Sequence, residues 1–212
     1  MGTRIVRTVR MKTMDNPKVE QLVRTARELF VRYGMRRVSI EEICGTAGVS
    51  KMTFYKYFRN KSDLAKHLIG QIISENMAKY RGIMGEDIPF SEKVERTVRM
   101  KLDQTKDLSQ EFFDEMVQSP DPDISDFLAR KRQEAFHEVV TDYVRAQREG
   151  SIRRDIKPEF ILYFFNHMVE MLKDDRLVKL YHSPRALTVE LTKFFFYGIL
   201  PREGSKGDRD GV

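Results

Sequence analysis

A helical spacing of apolar residues runs along almost the whole chain and leaves few folds open to it. Between Pro17 and Leu200 the apolar residues recur three or four positions apart, and prolines or glycines separate one such run from the next. We find no convincing alternation of apolar and polar residues, which is the pattern of a strand with one buried face. The sequence therefore predicts an all-α protein of about nine helices.

The first part of the chain predicts three helices joined by tight turns. The first helix ends at Gly34, and Ser39 and Glu42 form a capping box that opens a short second helix. That helix stops at Gly48, which can adopt the positive φ of a tight turn. Ser50 then caps a third helix that runs to about residue 58. Two short helices joined in this way predict a helix-turn-helix.

The third helix has two different faces. Phe54 and Phe58 are four positions apart and share the face that must pack on the first two helices. An outward face of this composition suits the major groove of DNA. An ordinary amphipathic helix within a bundle is the alternative interpretation of the same pattern. The residues predicted to point outward are Lys51, Met52, Thr53, Tyr55 and Lys56.

Residues 39–64, SIEEICGTAGVSKMTFYKYFRNKSDL, closely resemble the DNA-binding signature of the TetR repressor family. The shared features are the Gly-Val-Ser lead-in, the Thr-aromatic-Tyr core, the aromatic-Phe pair and the Lys-Ser-x-Leu exit. The resemblance covers roughly residues 15–70; beyond them only the helical architecture and the turn at residues 150–153 are similar. It implies an N-terminal helix-turn-helix, a C-terminal helical bundle for ligand binding and dimerisation, and repression of transcription.

The resemblance also implies which residues bind DNA. Lys51 and Met52 match positions that contact base edges: a lysine can donate to guanine, and a methionine can offer only apolar contact, for instance to a thymine methyl group. Met52 departs from the small residue that is usual there. Ser39 matches a phosphate contact, although N-capping explains it equally well. The complete set of predicted DNA-binding residues is Ser39, Ser50, Lys51, Met52, Thr53, Tyr55, Lys56, Tyr57 and Lys61.

Basic residues are concentrated at the start of the chain. Residues 1–70 carry 15 Lys and Arg against 6 Asp and Glu, and the rest of the chain carries 23 against 26. This asymmetry suits contact with a polyanion, although basic surface that only aids solubility gives the same count. Residues 1–14 and 202–212 predict disordered tails. Between them we place a helix-turn-helix DNA-binding domain, 15–61, and a ligand-binding and dimerisation domain, 62–201.

The last two predicted helices are apolar around more than one face, which exceeds what the core of one bundle requires. In the family that the chain resembles, these helices pair with those of a second copy. One recognition helix reads too few base pairs for specific affinity, so a homodimer on a palindromic operator is expected. Burial of both faces within one monomer is the alternative.

Large apolar side chains in the middle helices are accompanied by a few polar ones. An apolar cavity with a few polar anchors is what a small-molecule site needs, and the resemblance places an inducer in this region. Each residue could instead be a packed or surface residue. The predicted contacts of a small amphipathic or aromatic ligand are Phe113, Met116, His137, Tyr163 and His167.

The sequence leaves one other function open and disfavours a second. A DNA-binding dimer without a small-molecule effector, its C-terminal bundle binding a protein partner, stays open. An enzyme is disfavoured, because the sequence has no Gly-rich phosphate loop, no His-Glu-x-x-His motif and no Cys-His pairing.

The remaining composition predicts a cytoplasmic protein without cofactors. Cys44 is the single cysteine, which excludes an intrachain disulfide and agrees with a reducing compartment. The four histidines have no metal-ligand spacing. No apolar run approaches the roughly 18 residues of a membrane span, and no signal-peptide pattern is present.

Overall fold

The computed structural model describes residues 16–181 and 183–200, and within these ranges the chain forms ten helices and no strand. The all-α prediction is confirmed. The predicted tails, 1–14 and 202–212, lie outside the described residues. The helices are α1 Pro17–Tyr33, α2 Ile40–Ala47, α3 Lys51–Tyr57, α4 Lys61–Gly85, α5 Phe90–Thr105, α6 Gln110–Val117, α7 Pro122–Arg148, α8 Pro158–Met171, α9 Asp175–Leu180 and α10 Pro184–Ile199.

Side-chain caps fix where the first helices begin. The Asn16 side chain accepts a hydrogen bond from the backbone of Lys18, and Ser39 and Glu42 form both bonds of the predicted capping box. The α2–α3 turn contains Gly48 at φ +63°, the left-handed conformation that glycine adopts without strain.

The tenth helix is the short α9, which the sequence analysis did not anticipate. From the sequence alone, Asp174 and Asp175 are predicted to end the preceding helix, where acidic residues are unfavourable. In the structure α8 ends at Met171, and the Asp174 carboxylate caps α9 by accepting from the backbone of Arg176. The two acids thus lie at a helix N-terminus, where the helix dipole favours negative charge.

The described residues pack into two compact units. The first contains residues 16–73 together with 107–128, and the second contains 74–106 together with 129–200. Each unit has its own apolar core. Because packing within the chain does not test where DNA binding ends, the domain bounds 15–61 and 62–201 stay a prediction.

The first unit is built on the helix-turn-helix, with α6 and the start of α7 completing its core. Residues from α1, α2, α3, α4, α6 and α7 share this core. Its most deeply buried side chains include Leu22, Phe30, Ile43, Phe54, Leu64, Ile69, Phe112 and Leu128.

Aromatic side chains dominate the core of the second unit. Tyr143 on α7 is fully buried, and four phenylalanine rings surround it with centroids 5.9–6.1 Å from its own, within the range of favourable ring contacts. These rings are Phe90, Phe165, Phe195 and Phe196. In the part of the chain that the structure describes, no helix is long and apolar enough to cross a membrane.

Candidate nucleic-acid interface

The orientation of α3 agrees with the prediction. Phe54 is fully buried and Phe58 is 4% exposed, and their rings lie 5.8 Å apart against the core of the first unit. Met52 is 82% exposed and Tyr55 is 56% exposed on the opposite face. Lys51 and Lys56 are also exposed. The exposed face therefore combines two ammonium groups, a phenol and a thioether.

Short-range contacts fix the N-terminus of α3. The Ser50 hydroxyl accepts from the backbone of Thr53 at 3.1 Å, and the two hydroxyl oxygens lie 2.9 Å apart. These hydroxyls are thus held at the first turn of the helix, the part of a recognition helix that meets base edges.

An ion pair joins α3 to α2. The Lys51 ammonium donates to the carboxylate of Glu41, and both side chains stay largely exposed. This hydrogen bond raises the pKa of Lys51 and lowers the pKa of Glu41. Glu41, in the first turn of α2, is not among the site residues predicted from the sequence. The helix-turn-helix geometry that brings α2 beside the start of α3 was the signal that could have found it.

The end of α3 is tied to the start of α1. The amide of Asn16 donates to the Tyr57 hydroxyl at 3.0 Å, and the Lys56 ammonium lies 5.7 Å from the centre of the Tyr57 ring. Tyr57 is half-buried. Its hydroxyl can still donate a proton outward, so the predicted DNA contact and the contact with Asn16 are compatible.

Lys61 and Ser39 meet at the segment that leads into α2. The Lys61 ammonium donates to the carbonyl oxygens of Arg36 and Val38 at 3.0 and 2.8 Å. Two of its three N–H groups are thus used within the protein, and one is left for a phosphate. Ser39 is exposed, and its oxygen accepts from the backbone of Glu42 at 3.1 Å, so its proton can still be donated.

The five predicted ligand residues fall in separate places. Phe113 is buried and Met116 half-buried in the first unit. In the second unit the rings of Tyr163 and His167 stack with centroids 3.9 Å apart, and both are exposed, as is His137. The structure therefore pairs Tyr163 with His167 and gives the other three residues different surroundings.

Metal and thiol chemistry find no support in the described residues. These residues contain no cluster of three or more His, Cys, Asp or Glu side chains that could hold a metal ion. Cys44 is buried on α2, and burial raises the pKa of its thiol. A raised pKa disfavours the reactive thiolate.

The fold and this surface define an all-helical DNA-binding protein of the helix-turn-helix class. Residues 22–68 match the family model of the bacterial regulatory proteins of the tetR family. The chain is 25% identical over 202 residues to YdgC of Bacillus subtilis, an uncharacterized HTH-type transcriptional regulator, with 91% of this chain and 97% of YdgC covered. It is 51% identical over 45 residues to the TetC protein of transposon Tn10 from Escherichia coli, 21% of this chain and 23% of TetC.

Solved structures share the fold over most of the chain. A transcriptional regulator from Cytophaga hutchinsonii superposes with a TM-score of 0.66 at 16% identity, covering 88% of this chain and all of that one. A putative transcriptional regulator from Saccharomonospora viridis, solved with choline, gives 0.64 at 17% identity over 86% and 97%. Residues 22–68 therefore carry the DNA-binding domain of the TetR family, and the relatives that the chain resembles are transcriptional regulators.

Proposed function

We propose that this regulator is a homodimeric cytoplasmic repressor that binds a palindromic operator and is released from it by a small amphipathic or aromatic ligand. The observation that carries the DNA-binding part is the exposure of Lys51, Met52, Tyr55 and Lys56 on α3 while Phe54 is fully buried behind them. Because the apolar face of α3 packs on the core, its exposed face is available to the major groove.

In this proposal the start of α3 reads bases and its surroundings bind the backbone. Lys51 leaves Glu41 to donate to guanine, and Met52 lies against a thymine methyl group. The remaining predicted residues supply hydroxyl and ammonium donors for phosphates. They are Ser39, Ser50, Thr53, Tyr55, Lys56, Tyr57 and Lys61.

Exposed aromatic side chains on α8 and α10 support the dimer. Phe160 and Tyr163 on α8 are 56% and 60% exposed, and Phe194 and Tyr197 on α10 are 73% and 54% exposed. Large apolar groups exposed together mark an interaction surface. A second copy related by a twofold axis would cover them and set two recognition helices about 34–36 Å apart, one turn of DNA.

The ligand part of the proposal rests on the interior of the second unit. The hydroxyls of Thr97 and Tyr143 are buried there without a hydrogen-bond partner among the described residues. Buried polar groups without partners are costly, and a ligand can satisfy them. A similar structure was solved with choline. The ligand contacts predicted from the sequence, Phe113, Met116, His137, Tyr163 and His167, are not assigned to this interior and stay a separate proposal. Ligand binding would shift the population of dimers away from the DNA-bound form.

Selection of bound fragments from the host genome tests the proposal. Purified full-length protein should retain a small set of fragments that share a palindrome, and a small molecule that acts as inducer should release them. Failure to bind any genomic fragment at modest ionic strength, with and without candidate ligands, would overturn the proposal.

A charge-removal pair tests the backbone contacts. Lys61→Ala should reduce the slope of log affinity against log salt by about one unit, since each neutralised phosphate contributes about 0.9. Lys79→Ala, which removes an exposed charge from the second unit, serves as the control. An unchanged slope in Lys61→Ala would refute the phosphate contact.

A further inference from the structure

A carboxylate from far along the chain holds the segment that enters the helix-turn-helix. Glu115 on α6 accepts hydrogen bonds from the backbone N–H groups of Met35 and Arg36, one on each carboxylate oxygen, and the Arg36 bond measures 3.0 Å. The two partners are 80 and 79 positions away in sequence. Hydrogen bonds to an ionised acceptor are about twice as strong as neutral ones.

The segment between α1 and α2, residues 34–39, is called here the α1–α2 loop. Glu115 binds its N–H groups, and the Lys61 ammonium binds its carbonyl groups at Arg36 and Val38. The loop is therefore held by an anion through its donors and by a cation through its acceptors. Few other backbone conformations would present both sets of groups correctly.

Close packing brings α6 to this loop. A Cβ atom placed on Gly34 would lie 3.0 Å from the Cβ of Glu111, one turn before Glu115 on α6. The backbone N–H of Ser109 also donates to the carbonyl of Val31 near the end of α1, at 2.9 Å. Gly34 thus permits both its own φ of +83° and the approach of α6.

The α1–α2 loop carries groups suited to DNA. It ends at Ser39, the N-cap of α2, and it bears the exposed side chains of Arg36 and Arg37. The direction of the loop sets where α2 begins and where these cations point. The position of a carboxylate on α6 therefore bears on the geometry of the surface that meets DNA.

We propose that Glu115 is a positioning residue for DNA binding, acting through the two N–H groups of the α1–α2 loop. This inference rests on the proposed DNA contacts of the first unit. Glu115 lies in segment 107–128, which belongs to the first unit together with the helix-turn-helix.

The test compares Glu115→Ala and Glu115→Gln with Glu111→Gln, a control that removes the same charge one turn earlier on α6. Two quantities are measured on full-length protein at a temperature where circular dichroism shows every variant folded. They are the affinity for a selected genomic fragment and for an unrelated duplex, and the hydrogen-exchange rates of the Met35 and Arg36 amides in the free protein.

We expect Glu115→Ala to lose about tenfold in affinity for the selected fragment, the effect of one charge-assisted hydrogen bond, and less for the unrelated duplex. The two amides should exchange about tenfold faster. Glu115→Gln, which keeps one acceptor oxygen, should fall between Glu115→Ala and wild type, and Glu111→Gln should match wild type.

Either half of the result failing overturns the inference. Unchanged amide exchange would mean that the carboxylate does not hold the loop, and faster exchange with unchanged affinity would mean that the loop does not position the DNA-binding surface. An equal loss for both duplexes would indicate a structural role alone. If wild-type protein bound no genomic fragment, the proposed function would fail, while the exchange measurement would still report on the loop.

Discussion

The two faces of α3 predict that neighbouring substitutions have opposite effects. Phe54→Ala should destabilise the protein, and Met52→Ala should weaken DNA binding while leaving stability unchanged. The two positions are two residues apart on a seven-residue helix. The two substitutions affect the same short helix, so a difference between their effects reports which face of the helix is buried.

Burial sets the expected magnitudes. Phe54 is 0% exposed and its ring contacts that of Phe58, so truncation to alanine should cost about 3–5 kcal/mol in the free energy of unfolding. Since natural domains are stable by about 5–15 kcal/mol, this loss would leave the first unit marginally folded. Met52 is 82% exposed, and its truncation should change stability by less than about 0.5 kcal/mol.

Urea unfolding of the full-length protein, followed by far-ultraviolet circular dichroism, measures the first quantity, and titration of a selected genomic fragment measures the second. Phe54→Leu is the matched variant for binding, because it keeps most of the buried volume and should cost less than about 1.5 kcal/mol. It should bind DNA nearly as well as wild type, whereas Met52→Ala should bind several-fold more weakly. Equal stability losses at positions 52 and 54, or weaker binding by Phe54→Leu than by Met52→Ala, would refute the orientation.

Three further predictions concern charge, turn geometry and pH. Glu41→Gln should strengthen DNA binding, because it removes an anion and frees the Lys51 ammonium. In DNA titrations the gain in affinity should be smaller in a Lys51→Ala background, and the control Glu28→Gln should change affinity little. Equal gains with and without Lys51 would contradict the pairing. Gly48→Ala should lower the free energy of unfolding by about 1–2 kcal/mol, because φ is +63° there, and an unchanged denaturation midpoint would count against it. Burial, reinforced by nearby Asp142, raises the pKa of Tyr80. The stabilising contribution of Tyr80 is therefore full below the unfolded-state pKa of about 10 and declines above it. In thermal melts between about pH 9 and 11, the melting temperature should fall less steeply with pH in Tyr80→Phe than in wild type. Parallel profiles of the two proteins would exclude Tyr80 as the origin of the decline.

The sequence was sufficient to predict the helices and the orientation of α3, because both depend on local periodicity and caps. The Ser39–Glu42 capping box and the spacing of Phe54 and Phe58 are read within a few residues, and the structure contains both. Helix α9 was not predicted because the apolar periodicity assigns Asp174 to the end of the preceding helix, whereas its carboxylate caps the helix that follows.

Contacts between distant segments could not be predicted. Glu115 is an ordinary surface acid in sequence, and only the packing of α6 on α1 places its oxygens at the N–H groups of Met35 and Arg36. The ligand residues illustrate the same difficulty. Large apolar residues such as Phe113 and Tyr163 look alike in sequence, yet the first is buried and the second is 60% exposed. Periodicity gives a face for each helix but does not give the partner of that face.

The first unit is formed by two separate segments of the chain, and this affects how hybrids between such regulators can be built. Phe112, Ile124 and Leu128 belong to the same core as Phe30. In sequence they lie more than fifty residues after α3, the last helix of the helix-turn-helix. A hybrid that joined residues 1–61 of this protein to the body of a relative would inherit foreign side chains at those core sites. Hybrids that exchange DNA specificity between relatives should therefore fold when residues 107–128 are transferred together with residues 1–61. Hybrids joined at a single junction after residue 61 should be poorly folded.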